Sequence, residues 1–96
     1  MKEFEFKGNT LSVEMTRYAG NDRRAIQLID MEDGYPYCMA TVNLPGADLS
    51  DNEVAIKNWS ENEGILECLQ ANGVIGPVKR RIPSGFVYCD VVDFLG

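Results

Sequence analysis

Apolar side chains fall at every second position in several segments of this chain, the spacing of strands with one buried face. Glu3-Phe4-Glu5-Phe6-Lys7 and Thr10-Leu11-Ser12-Val13-Glu14-Met15 both alternate. Between them, Gly8-Asn9 supplies residues that accept positive φ, as a two-residue hairpin turn demands. With that turn, Phe6 faces Leu11 and Phe4 faces Val13 on one apolar face, and Glu5 and Ser12 point to water. A turn cluster, Tyr18-Ala19-Gly20-Asn21-Asp22, leads to a third strand from Arg24 to Asp30, apolar enough on both faces for a central position. Asp33-Gly34 and Pro36 break it. Tyr37 to Leu44 reads as the next strand, with Cys38, Ala40, Val42 and Leu44 on one face. A polar loop over 45–52 then precedes a short strand from Glu53 to Asn58.

The period changes once. Ser60-Glu61-Asn62-Glu63 has the form of a capping box, in which the Ser60 hydroxyl accepts from the Glu63 N–H and the Glu63 carboxylate reaches back. Ile65, Leu66 and Leu69, with Cys68 beside them, form the apolar stripe of a helix at about 61–72. Gly73 at its C′ position would let Val74 pack on Leu69. Beyond Gly76-Pro77, Val78 to Ile82 is a basic strand suited to a sheet edge, Pro83-Ser84-Gly85 turns the chain, and Phe86 to Phe94 is a long last strand. The expected fold is α+β: a mostly antiparallel sheet of five to seven strands (N-terminal hairpin, meander, C-terminal hairpin) with one α-helix packed on one face. Ninety-six residues with 45% hydrophobic content suffice for a single domain, 1–96, whose core needs no disulfide or metal.

Chemistry is constrained mostly by what the sequence lacks. With no histidine there is no Ser-His or Cys-His pair, and no Gly-rich phosphate loop lies between a strand and a helix. The reading is therefore not an enzyme, with no catalytic, metal-binding or cofactor-binding residue assigned. Asp48, Asp51 and Glu53 collect oxygen atoms on one loop, but the spacing is not that of an EF-hand. Cys38, Cys68 and Cys89 are an odd, widely spaced set in apolar surroundings, which suits buried thiols in a reducing compartment. The N-terminus has no apolar run of a signal peptide, and no stretch approaches the ~20 apolar residues of a membrane helix. The expected location is the cytoplasm. A net charge of −6 opposes direct binding to nucleic acid or to an anionic membrane.

Two groups of residues remain as candidate surfaces. Arg23 and Arg24, with Lys79, Arg80 and Arg81, form a basic patch if the fold brings them together; the competing expectation is that they pair with surface carboxylates. Trp59, Glu61, Asn62 and Glu63 form a candidate partner-binding block, against which stands a core role for Trp59 at the strand-to-helix corner.

Asn58-Trp59-Ser60-Glu61-Asn62-Glu63-Gly64, Ile65-Leu66-Glu67 and Ala71-Asn72-Gly73-Val74-Ile75 carry a resemblance. With Ile56-Lys57 before them and Ser84-Gly85-Phe86 after, they resemble a domain-of-unknown-function family of small proteins encoded on phages and integrative elements of gut bacteria. The resemblance covers about 54–95 and implies no activity, cofactor or catalytic residue. Together with the lack of catalytic motifs, the acidic surface and the small size, it points to an accessory protein of a mobile element that binds an unknown protein partner; open sheet edges allow a monomer or a homodimer. One alternative is an acidic antagonist of a defence or replication protein, mimicking nucleic acid, with Glu3, Glu5, Glu14, Asp30 and Asp33 beginning its acidic face. Another is a small-ligand binder or enzyme.

Overall fold

Two residues with positive φ make the first hairpin: Lys7 (φ 50°) and Gly8 (φ 82°) occupy its turn. Strand β1 (Glu3–Phe6) therefore pairs with β2 (Asn9–Arg17) as Phe4 opposite Leu11 and Phe6 opposite Asn9. The turn expected at Gly8-Asn9 is displaced by one residue, and the pairing by two. A two-residue shift leaves every side chain on its own face, so Phe4, Phe6 and Leu11 still share the buried side. Ser12, expected in water, is instead buried, a small side chain flanked by Glu3 and Ile29 on the neighbouring strands.

The computed structural model describes residues 3–44 and 46–96; Met1, Lys2 and Pro45, the first residue of the expected loop, lie outside them. Strand β3 (Arg24–Asp30) pairs with β2 along seven positions and takes β4 (Pro36–Met39) on its other side. This gives an antiparallel sheet of order β1-β2-β3-β4. The strand expected over Tyr37–Leu44 divides instead. Ala40 N–H still donates to Ile26 of β3 (2.9 Å), but Val42 N–H donates to Ala55 (2.9 Å) and Ala40 accepts from Lys57 N–H (2.8 Å). Residues 40–42 thus run from the first sheet onto β5 (Glu53–Ile56). The second sheet has order β5-β7-β6, with β6 (Arg80–Ser84) at an edge as expected and β7 (Val87–Asp93) between.

One helix, α1 (Ile65–Ala71), follows a 3₁₀ turn over Ser60–Asn62. Its C-terminus is the predicted Schellman motif: Gly73 has φ 72°, Val74 N–H donates to Leu69 O (2.9 Å) and Gly73 N–H to Gln70 O (3.1 Å). The capping box does not form. Ser60 itself has φ 55°, and its carbonyl takes the Glu63 N–H (3.1 Å) that the hydroxyl was expected to receive. Asn58 caps the helix instead, its Oδ1 accepting from Gly64 N–H (3.1 Å) and Leu66 N–H (3.0 Å).

The helix seats Ile65, Leu66 and Leu69 against Phe4, Phe6, Leu11, Ile26, Leu28, Val54, Ile56 and Val92, drawn from both sheets. Burying each such side chain contributes about 1.5–3 kcal/mol. The fold is thus α+β, two antiparallel sheets of four and three strands with one helix over the core they share.

Candidate functional site

The strand-to-helix corner turns out to hold the fold together more than it faces outward. Asn58 is the cap just described. Asn62 is completely buried, its Nδ2 donating to Met39 O (2.8 Å) while its Oδ1 has no partner, so no docking protein reaches it. Trp59 is half-buried and outside the hydrophobic cluster, so the plug of the core at this corner is Ile65, not the indole. Glu61 and Glu63 are exposed. Lys57 lies 2.7 Å from Glu61, and its hydrogen bond holds that carboxyl below the usual range. The exposed members of the block are thus Glu61, already paired, and Glu63.

The basic residues do converge, around the loop that follows residue 42. Unlike a ladder strand, this loop has carbonyls that need outside donors, and guanidinium groups supply them. Arg23 donates to Leu44 O (3.3 Å) and Ala47 O (2.6 Å), Arg24 to Asp51 O (3.0 Å), and Arg80 to Asp48 O (2.7 Å). Beneath the loop sits Glu53, its side chain only 5% exposed. Arg80 grips its carboxylate with both terminal nitrogens (2.8 and 2.9 Å), Lys79 approaches to 2.7 Å, and Ser50 N–H donates to it (3.0 Å). The Arg80 and Lys79 hydrogen bonds hold the Glu53 carboxyl far below the usual carboxylate range, against the opposing effect of burial. Arg81 is bonded to Asp90 at 2.8 Å. Four of the five basic candidates therefore pair with acids, and Arg23 is held by two carbonyls. The surface they make is charge-balanced, not a phosphate-binding patch.

The same pairing occupies the oxygen-rich loop, since Asp51 meets Arg17 and Arg24 (3.8 Å each) and Glu53 is enclosed by its cations. Among the described residues no three metal-ligating side chains converge. The three thiols are free, and burial pushes each of them up from its ordinary pKa.

A different surface emerges on the outer side of the four-stranded sheet. Antiparallel pairing puts Glu3, Ser12 and Ile29 in one row, Glu5 and Thr10 in the next, and Glu14 with Gln27 and Met39 in a third. Glu3, Glu5 and Glu14 are all exposed, and Asp30, Glu32 and Asp33 continue the negative charge into the β3–β4 turn. Every ion pair among the described residues uses Asp51, Glu53, Glu61, Asp90 or Asp93, and none uses an acid of this face or turn. Arg23, Arg24, Lys79, Arg80 and Arg81 are thus gathered at the loop and β6, and the outer sheet face carries exposed Glu3, Glu5 and Glu14 beside the partly buried Ile29 and Met39. Asn58 gave no positional signal, because it lies six residues before Gly64, the N-cap of a helix that starts at Ile65, four residues later than the Ser60 box suggests. No family model matches this chain, nor does any curated protein or solved structure.

Proposed function

We propose that this chain is a non-enzymatic accessory protein that acts by binding another protein, docking the outer face of its four-stranded sheet on a basic surface. The observation that carries the reading is the segregation of charge: Glu3, Glu5 and Glu14 share one exposed face, with no basic residue in their rows. Exposed carboxylates that form no ion pair among the described residues attract a basic partner at long range and fix its register on contact. A role in a mobile element rests on the sequence resemblance of the strand-to-helix block alone.

The test is affinity capture of the tagged protein from bacterial lysate at low and high salt, beside a Glu3→Gln/Glu5→Gln/Glu14→Gln variant. The expected result is a basic protein retained by the wild type at low salt, released at high salt, and bound about 10-fold or more weakly by the variant. Retention of the same partner by the variant, or no partner at either salt, overturns the reading.

The same carboxylate face motivates a second reading, an antagonist that occupies the nucleic-acid site of a defence or replication protein. Competition distinguishes the two. Added DNA or RNA displaces the antagonist from its target and leaves an ordinary docking partner bound.

A further inference from the structure

Asn72-Gly73 is the one place in this chain where asparagine precedes glycine. Such a pair can modify itself. The Gly73 backbone nitrogen attacks Cγ of Asn72 and forms a C–N bond; the Cγ–Nδ2 bond breaks, and Nδ2 leaves as ammonia with the proton of the attacking nitrogen. Water then opens the cyclic imide at either carbonyl, giving aspartate or its β-linked isomer, isoaspartate. Glycine favours the attack because no Cβ crowds the attacking nitrogen. Every other asparagine of the chain precedes a residue with a side chain.

The fold holds each participant away from this reaction. Asn72 lies at φ −95°, ψ 5°, which eclipses the Gly73 nitrogen with that of Asn72 and leaves it a large rotation from Cγ. Gly73 N–H is engaged by Gln70 O (3.1 Å), and the leaving group Nδ2 donates back along α1 to Cys68 O (2.8 Å). Rotating ψ would also swing Val74, whose N–H donates to Leu69 O (2.9 Å) and whose carbonyl accepts from Leu95 N–H (2.8 Å). Val74 and Ile75 are buried in the core, and Gln70 Nε2 spans the turn to Gly76 O (3.1 Å). Ring closure therefore requires the helix stop to open first.

We infer that Asn72-Gly73 is a deamidation site kept closed by the fold, and that opening of the helix stop converts it irreversibly. The product does not fit the site that formed it. Aspartate at 72 replaces the donor to Cys68 O with a carboxylate, set against the negative end of α1. Isoaspartate lengthens the main chain by one carbon at residue 72, so Val74 loses its register on Leu69 and Leu95. A modified molecule thus opens more readily than its parent, and each opening leaves a permanent negative charge as its record.

The experiment is to age the wild-type protein in mildly alkaline buffer, folded and, in parallel, unfolded in guanidinium chloride, following each asparagine by peptide mass spectrometry. In the unfolded chain Asn72 is expected to deamidate ahead of every other asparagine. In the folded protein it is expected to react about 100-fold or more slowly, in proportion to the open population. The aged fraction, separated by anion exchange on its added charge, should melt about 5 °C or more below the parent. Equal rates in the folded and unfolded protein overturn the inference. So does another asparagine reacting first in the unfolded chain, or an aged fraction that melts with the parent.

Discussion

Glu53 is the residue on which most of the polar structure converges. Its carboxylate is nine-tenths buried, fixed by Arg80, Lys79 and the Ser50 amide, and it supports a loop that has no ladder of its own. Glu53→Gln keeps the size but loses the charge, and is expected to cost about 1–3 kcal/mol, read from the urea midpoint. The pH dependence follows the same contacts. The folded-state pKa lies well below the ordinary 4.5, so the folded protein holds the carboxylate ionised where the unfolded chain would protonate it. The Glu53 contribution is therefore complete above about pH 4.5 and is lost progressively as pH falls below it. The variant's stability should vary less with pH across this acid range than the wild type's; equal slopes would show that other carboxylates set the acid limit.

At the scale of elements, the helix shows what could be read in advance and what could not. Its C-terminus was legible because Asn72-Gly73-Val74 states the chemistry directly: only glycine takes φ 72° freely, and Val74 completes the motif. Its N-terminus was not, because a 3₁₀ turn intervenes and the cap sits at Asn58, before the apparent box. Gly73→Ala and Asn58→Ala are each expected to destabilise by about 1–2 kcal/mol, whereas Ser60→Ala should change stability by only a few tenths. A large Ser60→Ala effect in thermal unfolding would restore the capping box. The first hairpin hid its turn for a related reason: Lys7 sits at φ 50°, a conformation lysine does not advertise, so Gly8-Asn9 looked like the better pair. Strand β3 was legible between its flanking turn residues, whereas the last hairpin was legible only in outline: Pro83 and Ser84, read as its turn, belong to β6, and the turn is Gly85-Phe86.

For the molecule as a whole, charge is distributed by position more than by composition. The sequence showed fifteen acids and nine bases; it could not show that the bases of the loop and β6 pair with Asp51, Glu53, Asp90 and Asp93, and that among the described residues no ion pair uses Glu3, Glu5 or Glu14. Such pairings depend on which strands meet, and residues 23–24 reach 44–51 only through the fold. Repulsion among the unpaired acids is screened by salt, while the exposed ion pairs are individually weak. Moderate sodium chloride should therefore raise the melting temperature by a few degrees; a fall would mean that the ion-pair network outweighs the repulsion. The segment 40–42 has a further consequence. It is bonded to β3 on one side and to β5 on the other, so each sheet borrows its inner border from the same three residues. Cutting the chain in the loop after residue 42 would therefore leave the C-terminal piece with an open β5 edge, so neither piece completes its backbone pairing without the other.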